Sequence, residues 1–205
     1  MTFDGWPEEA LDFYEGLEAD NSKAYWTAHK DVYENAVRAP MLALLADLAK
    51  EFGEGKMFRP YRDTRFAKDK SPYKTNAAAV VSSRYVSLSA AGLVAGGGVH
   101  ETSPDEVARL RAAVDSPARG TALARIVANA ESAGYRIGGD QLKTVPRGFD
   151  RDHPRAELLK YKSLFGWQEF APAPWLHTAK AADVVATAWR GLEPLTRWLA
   201  DNVRG

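Results

Sequence analysis

The sequence predicts an α+β fold: an antiparallel meander sheet packed with several helices, in a single domain over residues 1–205. Three observations predict it. Apolar residues recur at helical spacing through the first fifty positions. Three short runs between residues 77 and 100, rich in Val, Leu and Tyr, are separated by turn residues. Helix start signals then return after Ser103. Helices, meander, helices is not the β-α-β alternation of a parallel sheet.

The elements follow in order. Pro7, Glu8 and Glu9 read as a first helical turn, with acids where the helix dipole favours them and Leu11, Phe13, Tyr14 and Leu17 as the apolar side. Asp20-Asn21-Ser22 is a cluster of N-cap residues. A second helix runs from about Lys23, with Trp26, His29, Tyr33 and Val37 at helical spacing. Pro40 is expected to kink it or to separate a third piece, whose stripe is Leu42, Leu45, Leu48, Ala49 and Phe52, stopped by Gly53 and Gly55. Strands are expected over 77–83, 85–90 and 93–100. In the middle one, Tyr85, Ser87 and Ser89 form a polar face and Val86, Leu88 and Ala90 an apolar one. Ser103-Pro104-Asp105-Glu106 is a capping box with Pro at the first helical position. Ser116-Pro117 begins another helix with Leu123, Ile126, Val127 and Ala130 inward, closed by Gly134. Residues 135–153 read as irregular. A short helix over 156–160 and an edge strand over 164–170 precede a proline-rich break at 171–174. The last helix carries Val184, Ala188, Leu192, Leu195 and Leu199 in steps of three and four, with Pro194 as a kink.

Composition narrows the function. The chain has 205 residues, no cysteine and zero formal net charge. Disulfides, thiolate metal sites and cysteine nucleophiles are excluded. A metal would have to use His29, His100, His153 or His177 with carboxylates, and none of these pair as His-x-x-x-His; no metal site is expected. No apolar run is long enough to span a bilayer, so no membrane partner is expected. The segment MTFDGWPEEA lacks the pattern of a signal peptide, and cytoplasmic residence is the expectation.

Charge is unevenly placed. Residues 56–75, KMFRPYRDTRFAKDKSPYKT, hold seven cations against Asp63 and Asp69, a local charge of +5. Phe58, Tyr61, Phe66 and Tyr73 are threaded through the same strip. Residues 1–20 hold seven acids and no base, and residues 142–162 carry +3.

The runs NSKAYWTAHKDVYENAVRAPMLALL, MFRPYRDTRFAKDKSPYKT and LKTVPRGFDRDHPRAELLKYK, in that order, resemble the bacterial family known as domain of unknown function 2461. The resemblance covers about residues 3 to 200. Many relatives have Asn-Asn-Arg-x-Trp-Phe where this chain has Asn21-Ser22-Lys23-Ala24-Tyr25-Trp26. It implies an α+β domain and no particular activity.

The residues leave three readings of the strip open. In the first it binds an anionic small molecule bearing phosphate or carboxylate, with or without catalysis. Arg62, Arg65, Lys70 and Lys74 would hold the anion, Arg59, Lys143 and Arg147 would assist, and Tyr73 is the aromatic candidate. In the second it is a flat track for nucleic acid or protein, with Tyr61, Phe66 or Tyr73 stacking on bases. In the third it is an internal salt-bridge network with Asp63, Asp69 and the acidic N-terminal helix. His153, beside Asp150 and Asp152, is the candidate catalytic base. No motif specifies a cofactor. Gly96-Gly97-Gly98 lacks the spacing of a phosphate loop and reads as a closely approached strand.

Overall fold

The computed structural model describes residues 2–65 and 68–204. The helices α1 Glu9–Ala19, α2 Lys23–Ala28 and α3 Lys30–Val32 lead into a π-helical segment, Tyr33–Arg38, and then α4 Ala39–Phe52. Strands β1 Lys56–Met57, β2 Asn76–Val81, β3 Arg84–Ser89 and β4 Gly92–Val99 follow. After them come α5 Pro104–Asp115, α6 Pro117–Ser132, β5 Arg136–Gly138, α7 Ala156–Leu159 and β6 Leu164–Phe170. A 3-10 turn, Pro174–His177, precedes α8 Lys180–Gly191 and α9 Glu193–Leu199, and a π-helical turn, Ala200–Arg204, follows them. The strands form one antiparallel sheet in the order β1-β2-β3-β4-β6-β5. The fold class is therefore α+β, as the sequence predicts. No described helix is long and apolar enough to cross a membrane.

The residues gather into two compact units. One holds residues up to 95 together with 169–187. Here α4 packs on β2 and α1 on β3. Trp6, Tyr14, Leu17, Val37, Met41, Leu44, Val86 and Leu88 are almost fully buried between them. Three successive alanines, Ala77 to Ala79, keep β2 thin on both faces, and all are buried. Tight turns join the strands: Val81 pairs with Arg84 across Ser82-Ser83, and Ser82 takes φ 54. The other unit holds residues 96–168 and those after 187. There α6 packs against α5, β5 and α9. The capping box at Ser103 and Glu106 forms in full, satisfying two orphan amides of α5. At Gly96, a Cβ would come 2.8 Å from the Gly166 carbonyl oxygen, so β4 and β6 approach as closely as the glycine run implies.

Several expectations are corrected. Pro40 does not break the helix. The π segment before it shifts the hydrogen bonding by one residue, and the Ala39 amide donates to the Glu34 carbonyl. Pro40 then sits in the first turn of α4, where no amide is needed. Of the predicted stripe Leu45, Leu48 and Phe52 are buried, joined by Met41 and Leu44, while Leu42 is 39% exposed. Ser87 is buried, because both faces of β3 are covered at its centre. β6 is not an edge strand: β5, only three residues long, lies beyond it. Arg136-Ile137-Gly138 is too short to show a period. In α8 it is Val185, not Val184, that is fully buried.

Gly92 takes φ +106 at the turn into β4, and a Cβ there would overlap the Phe170 carbonyl oxygen. Gly92→Ala is expected to cost about 2–4 kcal/mol, read as a fall in Tm of about 5–15 °C. An unchanged Tm would mean that β4 and β6 separate easily at this point.

Candidate functional site

The basic strip starts as sheet and ends as loop. Lys56 and Met57 pair with Val80 and Ala79, and the Phe58 amide donates to the Ala78 carbonyl at 2.8 Å. Pro60, lacking a donor, ends the ladder. The chain leaves the ladder after Tyr61 and returns to it at Pro72. Tyr61 bridges Tyr73, the Arg62 amide donates to the Pro72 carbonyl at 2.9 Å, and the Lys74 amide donates to Pro60 at 2.8 Å.

Asn21 pins the neck of this loop. Its Nδ2 donates to the Tyr73 carbonyl at 3.1 Å, and its Oδ1 accepts from the Tyr73 amide at 3.0 Å. A side-chain amide thus takes the place of a neighbouring strand. Ser22 caps α2 by accepting from the Tyr25 amide at 3.1 Å, which fixes where Trp26 stands. Trp26 stacks on Tyr73 with ring centres 4.3 Å apart and planes 7° from parallel. Tyr33 lies 4.8 Å from Trp26, and Tyr61 lies 5.9 Å from Trp26 and 5.5 Å from Tyr73.

Within the loop the charges pair locally. Arg62 is ion-paired to Asp69. Asp69 also accepts from the Ser71 amide at 2.9 Å and its hydroxyl at 2.6 Å. Arg62 and then Ser71 hold the Asp69 carboxyl well below the usual range. Arg65 places Nε at 3.0 Å and Nη2 at 2.7 Å from Asp63, holding that carboxyl low as well. Lys70 donates to the Thr64 carbonyl at 2.9 Å. Phe66 lies outside the described residues. Arg62 and Arg65 pair with the strip's own Asp69 and Asp63; among the described residues, none of Lys56, Arg59, Arg62, Lys68, Lys70 and Lys74 pairs with an acid of α1.

Two grooves flank the neck. One, of about 330 Å³, is polar. Arg62 and Lys74 line it, balanced by Glu18 and Asp69, with Asn21, Ser71 and Tyr73 nearby. The other, of about 500 Å³, has Lys30, Arg38, Lys56 and Arg59 around it and only Glu34 as an acid. Glu34 is already paired to Arg38 at 3.3 Å. Lys30, Lys56 and Arg59 make no salt bridge among the described residues. Trp26 and Tyr33 line this groove, together with Leu42, Phe58 and Tyr61. These last three are 39%, 39% and 49% exposed, and they are the exposed large hydrophobic side chains among the described residues.

The sequence-level candidates are thus dispersed. Arg59 lines the aromatic groove; Arg62, Tyr73 and Lys74 line the polar one. Arg65 and Lys70 are engaged inside the loop. Lys143 and Arg147 are exposed residues of the other unit. His153 accepts the Arg155 amide on Nδ1 at 3.0 Å and holds Nε2 3.4 Å from Asp115. Arg155 in turn donates to the carbonyls of Val114 and Asp115, so this set ties the start of α7 to the end of α5. Asp150 makes the turn before it, accepting the Asp152 amide at 2.9 Å.

Lys30, Glu34, Arg38 and Leu42 are what sequence reasoning missed. They recur every four residues and all line the groove. A row stepping by four drifts around an α-helix, but the wider π turn at Tyr33–Arg38 counters that drift. The recurrence was legible; the π turn that keeps it on one face was not.

A family model described as "Conserved hypothetical protein (DUF2461)" matches residues 9–198. A comparison with the curated proteins finds no match.

Two measurements check this geometry. Asn21→Ala leaves the Tyr73 amide and carbonyl without partners in a part-buried place, and is expected to cost about 1–3 kcal/mol; a chemical denaturation curve like that of the wild type would contradict the clamp. Burial, and then the neighbouring Glu34, push the Tyr33 hydroxyl up to about 12 from an ordinary value of 10.0. The folded state therefore keeps this proton longer than the unfolded chain, and stability falls as pH rises from 10 towards 12. Ultraviolet titration is expected to lose one late-ionising phenol in Tyr33→Phe; loss of a phenol titrating near 10 would contradict the burial.

Proposed function

We propose that this chain, which belongs to the DUF2461 family, binds a small molecule bearing phosphate or carboxylate in the groove beside Arg59. The observation that carries the reading is the lining itself: four cations against one acid, around an aromatic floor. Positive groups with no partner repel one another and add nothing to folding. An anion entering the groove relieves that repulsion and gains charge-assisted hydrogen bonds from the Arg59 guanidinium. A volume of about 500 Å³ lies within the range of small-molecule pockets. π turns inside helices occur often at functional sites, and here one supplies Tyr33, Glu34 and Arg38.

This reading moves the anion from Arg62, Arg65 and Lys70 to Arg59, Lys56 and Lys30. The loop cations have protein partners that an anion would have to displace. The same point weighs against a nucleic-acid track, which needs free cations along the whole strip.

Calorimetric titration with phenyl phosphate and ethyl phosphate at low salt tests the reading. At least one ester is expected to bind. Arg59→Gln is expected to weaken it about 10- to 100-fold, the worth of a charge-assisted hydrogen bond. Arg65→Gln should leave it unchanged. Binding of neither ester, or loss in Arg65→Gln with none in Arg59→Gln, would overturn the reading. So would tight, steeply salt-dependent binding of an oligonucleotide with no binding of the esters.

A further inference from the structure

The aromatic side of the same groove carries more than charge complementarity. Tyr61 stands at the end of an aromatic tier. Phe13, Tyr33, Trp26 and Tyr73 contact one another with ring centres 4.3–5.8 Å apart. Tyr61 is tilted 51° from Trp26 and 45° from Tyr73, and nearly half of it faces solvent. Phe58 and Leu42 stand exposed beside the same opening. Three large apolar side chains thus stand around one concavity, next to cations that make no salt bridge among the described residues.

A second observation is independent of the first. Tyr33 is 3% exposed and lines the groove, and its hydroxyl makes no protein hydrogen bond among the described residues while its oxygen stays open to the groove. By contrast, the buried Tyr135 hydroxyl donates to the Ala188 carbonyl at 3.1 Å. The Tyr33 hydroxyl is thus an open donor at the groove wall, where a ligand's polar atom can take the place of water.

We infer that the occupant of this groove is an aryl or heteroaryl anion, a planar ring joined to a phosphate or carboxylate, with its ring against Tyr61 and a polar atom hydrogen-bonded by Tyr33. The inference rests on the anion reading above and narrows it to one ligand class. A ring offers Tyr61 the offset or edge contact that aromatic pairs favour, and an alkyl chain does not. The anionic group then reaches Arg59 and Lys56, which lie on the strip just before Tyr61. Tyr33 is a specificity-determining residue in this arrangement: it selects for a polar atom on the buried side of the ligand.

Titration of the full chain with phenyl phosphate, ethyl phosphate and inorganic phosphate separates the two levels. Phenyl phosphate is expected to bind at least about tenfold more tightly than ethyl phosphate, from the ring contact and the apolar area it covers. Tyr61→Ala should remove that preference and leave ethyl phosphate binding as it was. Tyr33→Phe should weaken phenyl phosphate by about 2- to 10-fold, with Tm unchanged or raised, since the hydroxyl has no protein partner to lose. A structural role for that hydroxyl would instead lower Tm. Equal binding of the phenyl and ethyl esters, both sensitive to Arg59→Gln, would overturn this inference and leave the anion reading standing. A preference for the phenyl ester that survives Tyr61→Ala would also overturn it. Binding of none of the three would overturn both.

Discussion

The hold of Asn21 on the backbone of Tyr73 is the constraint from which the candidate site follows. Two hydrogen bonds from one side chain fix the neck of the loop, 52 residues away in sequence. Tyr73 is thereby laid flat on Trp26, and Trp26 is itself set by the Ser22 cap of α2. Tyr61, bridged to Tyr73, then has one position to occupy. A strip broken by Pro60 and Pro72 cannot hold itself in a sheet, so this outside contact supplies the register that a strand would have had.

Charge divides on either side of that neck. In the loop, each arginine has an aspartate within a few residues, and the pairs are exposed. Exposed pairs contribute little to stability, so their effect is to remove charge from the polar groove rather than to hold the fold. On the aromatic side, Glu34 is the only acid, and it serves Arg38. The positive potential of the strip is therefore expressed at Lys30, Lys56 and Arg59. Aromatic walls raise its reach, because a low-dielectric lining screens charge less than water does.

The α+β order, the meander and the capping box were legible because each rests on local signals. Val81–Arg84 and Ser89–Gly92 are short turns between runs rich in Val, Leu and Tyr, and Ser103-Pro104 carries its own cap. What was hidden depends on contacts distant in sequence, or on a single extra residue in a helix. Arg136-Ile137-Gly138 is a strand only because β6 lies beside it. The π turn ahead of Pro40 keeps Leu42 in line with Lys30, Glu34 and Arg38 along the groove. For the site, the density of cations in residues 56–75 marked the right region. Composition could not separate Arg59 from Arg62 and Arg65, because Asp63 lies within four residues of all three in sequence. Only the loop geometry assigns the aspartates to Arg62 and Arg65.

Arginine Nε–Hε spectra recorded while phenyl phosphate is added test that division most directly. Each guanidinium reports on its own surroundings, so the anion's position is read without altering the protein. The Arg59 signal should shift with saturation, while those of Arg62 and Arg65 stay where their aspartates hold them. Saturating shifts at Arg62 and Arg65 with none at Arg59 would contradict it, placing the anion in the loop.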